Sequence, residues 1–161
     1  MANFEFLSQY RVVSSREEDI DRGRESKHLF IPVQPFDLLE AENELGFRLP
    51  SELDEFYSKI GYGFFYNNSN KDFNRFLSPD VLVEINLRQD QFEFDPDLEL
   101  YDNPNHLIFF QVNEGVYLTV DRSVKGDKSP VYYVTSNISN SIEEFLKNYD
   151  EDPEYLRKIV K

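Results

Sequence analysis

In the stretch QFEFDPDLELYD, residues 91–102, carboxylates are spaced as if for metal chemistry: Glu93, Asp95, Asp97 and Glu99 alternate with Phe92, Phe94, Pro96, Leu98 and Leu100. Alternating acids supply the oxygen ligands of a calcium loop, and Asp95, Asp97 and Glu99 fall at its first, third and fifth positions. The sixth position needs glycine for a sharp turn, yet Leu100 stands there, and Pro96 restricts the second. The calcium reading fails on those two residues. Read instead as an extended segment, the same period sends acids to one face and apolar groups to the other, and Pro96 confines the segment to an edge or a covering loop. From Glu84 to Asp102 there are seven acids and one base, Arg88. Carboxylates interleaved with aromatics suit an electrostatically steered protein interface. The competing account is a solvated edge whose charge deters edge-to-edge association.

Other chemistry is thinly represented. The two histidines, His28 and His106, each lack a second histidine at i+3 or i+4, so no metal pair is expected. His106 reads as a strand-entry residue before LIFF, and His28 as part of an N-terminal arm. No G-x-S-x-G elbow or comparable nucleophile turn is present, few groups titrate near neutrality, and neither catalytic residues nor a cofactor are expected. Gly61-Tyr62-Gly63 is no phosphate loop, because such a loop follows a strand and opens a helix, whereas Gly61 closes a helix and Gly63 leads into aromatic, strand-like residues. Aromatics make up 16% of the chain, with ten tyrosines, fifteen phenylalanines and no tryptophan. If Tyr62, Phe64, Phe65, Tyr66, Tyr132 and Tyr133 lie on strands, they cannot all face inward. Tyr62, Tyr66 and Tyr132 are therefore expected to bind a partner beside Glu93, Asp95, Asp97, Glu99 and Asp102.

Composition sets the bounds around these residues. A chain of 161 residues suffices for one domain with one core. The absence of cysteine excludes disulfides and thiolate metal sites. With 31 acidic and 17 basic residues the net charge is −14, which disfavours DNA, RNA and anionic membranes and favours a basic partner. Acidity also keeps proteins soluble without any partner. The opening MANFEFLSQYRVV lacks a basic n-region and a long apolar run, and a soluble cytoplasmic protein is expected.

The elements that must position these groups follow from periodicity. Residues 1–34 read as a peripheral arm, with RVVSSREEDIDRGRESK as its solvated part, and 35–161 as the folded domain. Leu38, Ala41 and Leu45 mark one helical face that ends at Gly46. Leu49, Leu53, Phe56, Tyr57 and Ile60 mark a second, with acids at its start, Lys59 at its end and Gly61 closing it. Ser78-Pro79-Asp80 starts a short helix over VLVEINL, although its β-branched residues also suit a strand. HLIFFQV, VYLTVD and VYYVT read as an antiparallel meander whose first turn is Asn113-Glu114-Gly115. Ser141 to Glu144 form a capping box, with Ile142, Phe145, Leu146 and Tyr149 on the face behind it, and Asp152-Pro153 opens a last short helix. Helices first, strands in the middle and helices last predict an α+β fold: a single domain with N-terminal helices and a C-terminal helix packed around one antiparallel sheet.

The ordered string E-x-x-L-G-x-x-L-P-x-x-L-x-x-F-Y, on Glu42, Leu45, Gly46, Leu49, Pro50, Leu53, Phe56 and Tyr57, continues through Gly61 and Gly63, LSPDVL, FFQVNEGVYLTVD, PVYYV and SIEEFL. From about Phe36 to Leu146 it resembles the SUKH superfamily, which includes a yeast cell-wall regulator. The resemblance implies an α+β fold. It also implies a role: bacterial members are commonly non-catalytic immunity proteins that bind and neutralise polymorphic or contact-delivered toxins, many of them nucleases. Other members are intracellular regulatory or scaffold modules, and that role, homodimeric or otherwise, is the alternative expectation. One departure is the short turn Asn113-Glu114-Gly115, where bacterial members often carry a longer glycine- and aspartate-rich one.

Overall fold

A computed structural model describes residues 2–68 and 72–160. Among them, seven strands form one antiparallel sheet in strict sequence order. They are β1 (Leu29–Ile31), β2 (Tyr62–Phe65), β3 (Asn74–Phe76), β4 (His106–Val112), β5 (Val116–Asp121), β6 (Val131–Tyr133) and β7 (Ser136–Ser139). Six helices surround them: α1 (Glu17–Gly23), α2 (Pro35–Leu45), α3 (Ser51–Lys59), α4 (Pro79–Asn86), α5 (Ile142–Glu151) and α6 (Tyr155–Ile159). The fold is α+β, and the expected three-strand meander is the β4–β6 part of a longer one.

One face of the sheet carries the core. Opposed residues share a face, so the register places Phe76, Phe110 and Leu118 together on it, and Leu107, Val120 and Val131 likewise. The stripe expected on α3 is buried against this face, with Phe56 stacked on Phe76 at 4.0 Å. From α5 the expected Ile142, Phe145, Leu146 and Tyr149 are buried beside it, Phe145 edge-on to Phe110 at 5.3 Å. Ser141 caps α5 by accepting the Glu144 N–H at 3.0 Å. The caps were local signals, and α4 likewise begins at Ser78-Pro79 as a helix.

A carboxylate ties these helices to each other. Glu52 of α3 is buried, and it accepts the N–H groups of Ser129 (2.9 Å), Ile142 (2.7 Å) and Glu143 (3.0 Å). Two of these are orphan donors in the first turn of α5, where a carboxylate also meets the positive end of the helix dipole. Burial pushes the Glu52 pKa up, against the pull of the three N–H groups.

The N-terminal segment is not peripheral. Phe4 and Leu7, in a 3-10 helix over Glu5–Tyr10, are buried in the same core, and Phe4 meets Phe56 edge-on at 5.2 Å. His28, expected in an exposed arm, is also buried, because β1 pairs with β2 and carries it inside. The stretch around α1 matches the solvated reading, with Arg11, Val13, Arg16, Glu17, Glu18, Asp21, Arg22, Arg24 and Glu25 exposed.

Gly61-Tyr62-Gly63 is where β1 and β2 meet. The Gly61 N–H bonds to the Phe56 carbonyl at 3.1 Å, closing α3 as expected. Both glycines then lie against the β1 backbone. A side chain at Gly61 would put its Cβ 2.0 Å from the Ile31 carbonyl oxygen, and one at Gly63 would put it 2.0 Å from that of Leu29.

Candidate partner-binding surface

The acidic stretch is not extended. It folds into two short 3-10 helices, Asp90–Phe92 and Pro96–Tyr101, because Asp95 caps the second by accepting the Asp97 N–H at 3.0 Å and Pro96 supplies its first position. The result is a lobe on the side of the sheet away from α3 and α5. Phe92, Leu98 and Tyr101 point inward and are buried. Phe94 is 88% exposed and Leu100 67%, among the exposed carboxylates of Glu93, Asp97, Glu99 and Asp102. Acids and apolar groups therefore share one surface, where period-two alternation would have separated them.

Arg88, the one base of this stretch, fastens the lobe to α4. Its guanidinium donates to the carbonyls of Ile85 (2.5 Å) and Leu98 (3.3 Å) and pairs with Asp102 at 2.7 Å. On the other side the lobe meets the β4–β5 turn. A Cβ on Gly115, whose φ is +81°, would come within 2.8 Å of the Asp97 carboxylate, so the two lie side by side.

The tyrosines beside these acids are Tyr101 and Tyr117. Their rings meet edge-on at 5.6 Å, and the Tyr101 hydroxyl accepts the Tyr117 N–H at 3.0 Å. Burial pushes the Tyr117 phenol up, and the nearby Asp95 and Asp97 charges push the same way. The three tyrosines singled out by sequence have other surroundings. Tyr62 is half-buried in β2, and the carboxylates acting on it are Asp80 and Asp37. Tyr66 directs its hydroxyl at the Tyr149 and Asp150 carbonyls (2.8 and 2.7 Å), and burial with the Asp150 charge lifts its pKa to about 12. Tyr132 lies against His106, ring centres 4.7 Å apart, and His106 shares a hydrogen bond with Thr119 at 3.0 Å.

Tyr117 ends a cross-strand row that no local pattern announces. The register aligns Leu29, Phe64, Arg75, Gln111 and Tyr117 across five neighbouring strands, on the face opposite the core. Phe73, 51% exposed, packs on Phe64 with ring centres 5.4 Å apart. A second acidic feature adjoins the lobe: Asp37, Glu40, Glu44, Asp80, Glu84 and Asp90 line a groove between α2 and α4. Phe36 and Leu39 are also exposed on α2, Leu39 in a separate groove against α3.

Comparison with known proteins bears on this arrangement. The model of the SMI1/KNR4 family (SUKH-1) matches residues 32–148, most of the chain. The chain belongs to that family. This SUKH-1 chain is 38% identical over 133 residues to a Bacillus subtilis (strain 168) protein named Immunity protein YxxD, covering 81% of the chain and 89% of the relative. No solved structure matches it. The family match starts at Pro32, so the SUKH-1 region leaves out Phe4, Leu7, His28 and β1, although all of them pack into its core. Among the described residues no group of His, Asp or Glu could hold a metal ion, and no helix is long and apolar enough to cross a membrane.

Proposed function

We propose that this chain is a non-catalytic immunity protein, which binds a cognate basic toxin and blocks it by covering its working surface. The observation that carries the reading is the likeness to a protein named as an immunity protein over 81% of this chain and 89% of that one. Charge and surface chemistry support it. A nuclease toxin presents cations to phosphate, and a partner of net charge −14 would meet that surface with steered association, up to about 10⁸–10⁹ M⁻¹s⁻¹ at low salt.

The proposed contact is the acidic lobe, with Glu93, Asp95, Asp97, Glu99 and Asp102 steering and Phe94 and Leu100 as apolar anchors. An exposed phenylalanine ringed by carboxylates costs solubility when free and gains contact area when covered, which is the arrangement of an interface core within a polar rim. Tyr62, Tyr66 and Tyr132 have other surroundings and are candidate contacts of their own, separate from the lobe.

Co-expression tests the reading. The toxin encoded beside this gene should kill cells alone and spare them when this protein is present. Failure to protect against any neighbouring toxin, with capture of unrelated cellular proteins instead, would favour a regulatory module.

A further inference from the structure

Arg75 sits at the centre of the cross-strand row, between Phe64 and Gln111. Its Nε donates to the Gln111 side-chain oxygen at 2.7 Å, and its guanidinium lies over the Phe73 ring at 5.8 Å. Among the described residues no carboxylate pairs with it, and its two terminal nitrogens meet no protein acceptor and stay open to solvent. The contrast with other basic groups is informative. Arg88 and Arg157, of similar exposure, both hold carboxylates, while the unpaired Arg11, Arg48 and Arg122 are exposed. Burial of part of the side chain pulls the Arg75 pKa down, while the free end of its fork stays open to a partner. In a chain with 31 acids, Arg75 differs from the similarly exposed Arg88 and Arg157 in having none opposite it.

We propose that Arg75, cradled by Phe73 and Gln111, is the point at which the bound partner inserts a carboxylate side chain. The proposal rests on the immunity reading and adds a specific contact to it. The free end of a guanidinium presents two parallel N–H donors that match a carboxylate bidentately. Phe73, Phe64 and Tyr117 around it would exclude water from the pair, as the apolar ring around an interface hot spot does. Selectivity follows from charge. The acidic lobe attracts any basic surface, whereas Arg75 rewards only a toxin that places an acid opposite this one cation, and a toxin lacking it would strand the guanidinium under the interface.

The test measures binding kinetics of the toxin encoded beside this gene against wild type, Arg75→Ala and Arg75→Lys. Arg75→Ala should weaken binding by about 30-fold or more, chiefly through faster dissociation, with thermal stability retained because the side chain lies outside the core. Arg75→Lys keeps the charge and loses the fork, and should also dissociate faster, by about tenfold. Changing the opposing toxin carboxylate to alanine should make the Arg75→Ala effect vanish. Wild-type dissociation rates in both variants would overturn the contact while leaving the immunity reading intact. A homodimer abolished by Arg75→Ala would overturn it too, by making a second copy the occupant. If wild type neither binds nor protects against the toxin, both readings fall together.

Discussion

The imidazole of His28 and the carboxylate of Asp150 meet at 2.8 Å, joining the residue before β1 to the last turn of α5. The other ring nitrogen, Nδ1, accepts the Tyr66 N–H at 3.0 Å, so the ring is neutral and Nε2 carries the proton donated to Asp150. Lys27 reaches the same carboxylate at 3.0 Å. The bond clasps the N-terminal segment to the C-terminal helix across the first corner of the sheet.

A second proton on His28 would face the Tyr66 N–H, and burial holds its pKa below the ordinary 6.5 despite the pull of Asp150. As pH falls through 6.5 the unfolded chain therefore takes the proton first. The stabilisation is present above about pH 6.5 and is lost as pH drops through the lower folded value. Urea midpoints should fall between pH 7.5 and pH 5. His28→Gln should cost about 1–3 kcal/mol at pH 7.5 and less at pH 5. Equal losses at both values would mean that His28 does not titrate across this window.

Glu52 gives a pure stability prediction. Glu52→Ala leaves the N–H groups of Ser129, Ile142 and Glu143 buried without an acceptor, and each such loss is worth about 1–3 kcal/mol. The variant should lose at least about 3 kcal/mol in denaturant unfolding, with the slope unchanged. A loss under about 1 kcal/mol would show that water replaces the carboxylate.

The two glycines of Gly61-Tyr62-Gly63 should tolerate no side chain. Gly63→Ala brings a methyl group to 2.0 Å from the Leu29 carbonyl oxygen, so β1 must move away from β2, and Phe30 and His28 with it. The expected loss is more than about 3 kcal/mol, with the largest rise in amide exchange on β1. Wild-type stability would mean that β1 is not seated as described.

Helices α3 and α5 were legible because every signal for them is local: a 3.6-residue stripe, a cap and a terminal charge within one stretch. Three features escaped for different reasons. The acids around Pro96 alternate with apolar residues and so mimic a strand, although Asp95-Pro96 is the same helix-opening pair that correctly placed α4 at Ser78-Pro79 and a last helix after Asp152-Pro153. Phe4 and Leu7 sit in a short FEFL run with no sustained period and His28 follows a charged stretch, so only their long-range packing makes them core. The row through Arg75 depends on strand register, and register is fixed by pairing between residues up to some 40 positions apart, which no window along the chain contains.

The lobe separates steering from anchoring, and kinetics can tell them apart. Asp95→Asn, Asp97→Asn and Glu99→Gln together remove three charges while keeping the lobe folded, since asparagine caps a helix about as well as aspartate does. Association with the toxin should slow by about tenfold at low salt and lose most of its salt dependence, with dissociation little changed. Phe94→Ala should do the reverse: a ring that is 88% exposed contributes nothing to the core, so stability stays within about 0.5 kcal/mol while dissociation accelerates. If both variants associate and dissociate at wild-type rates, the lobe is a solvated cap on the outer sheet. The neighbouring groove between α2 and α4, with its six carboxylates, then becomes the surface to which the same charge-removal experiment applies.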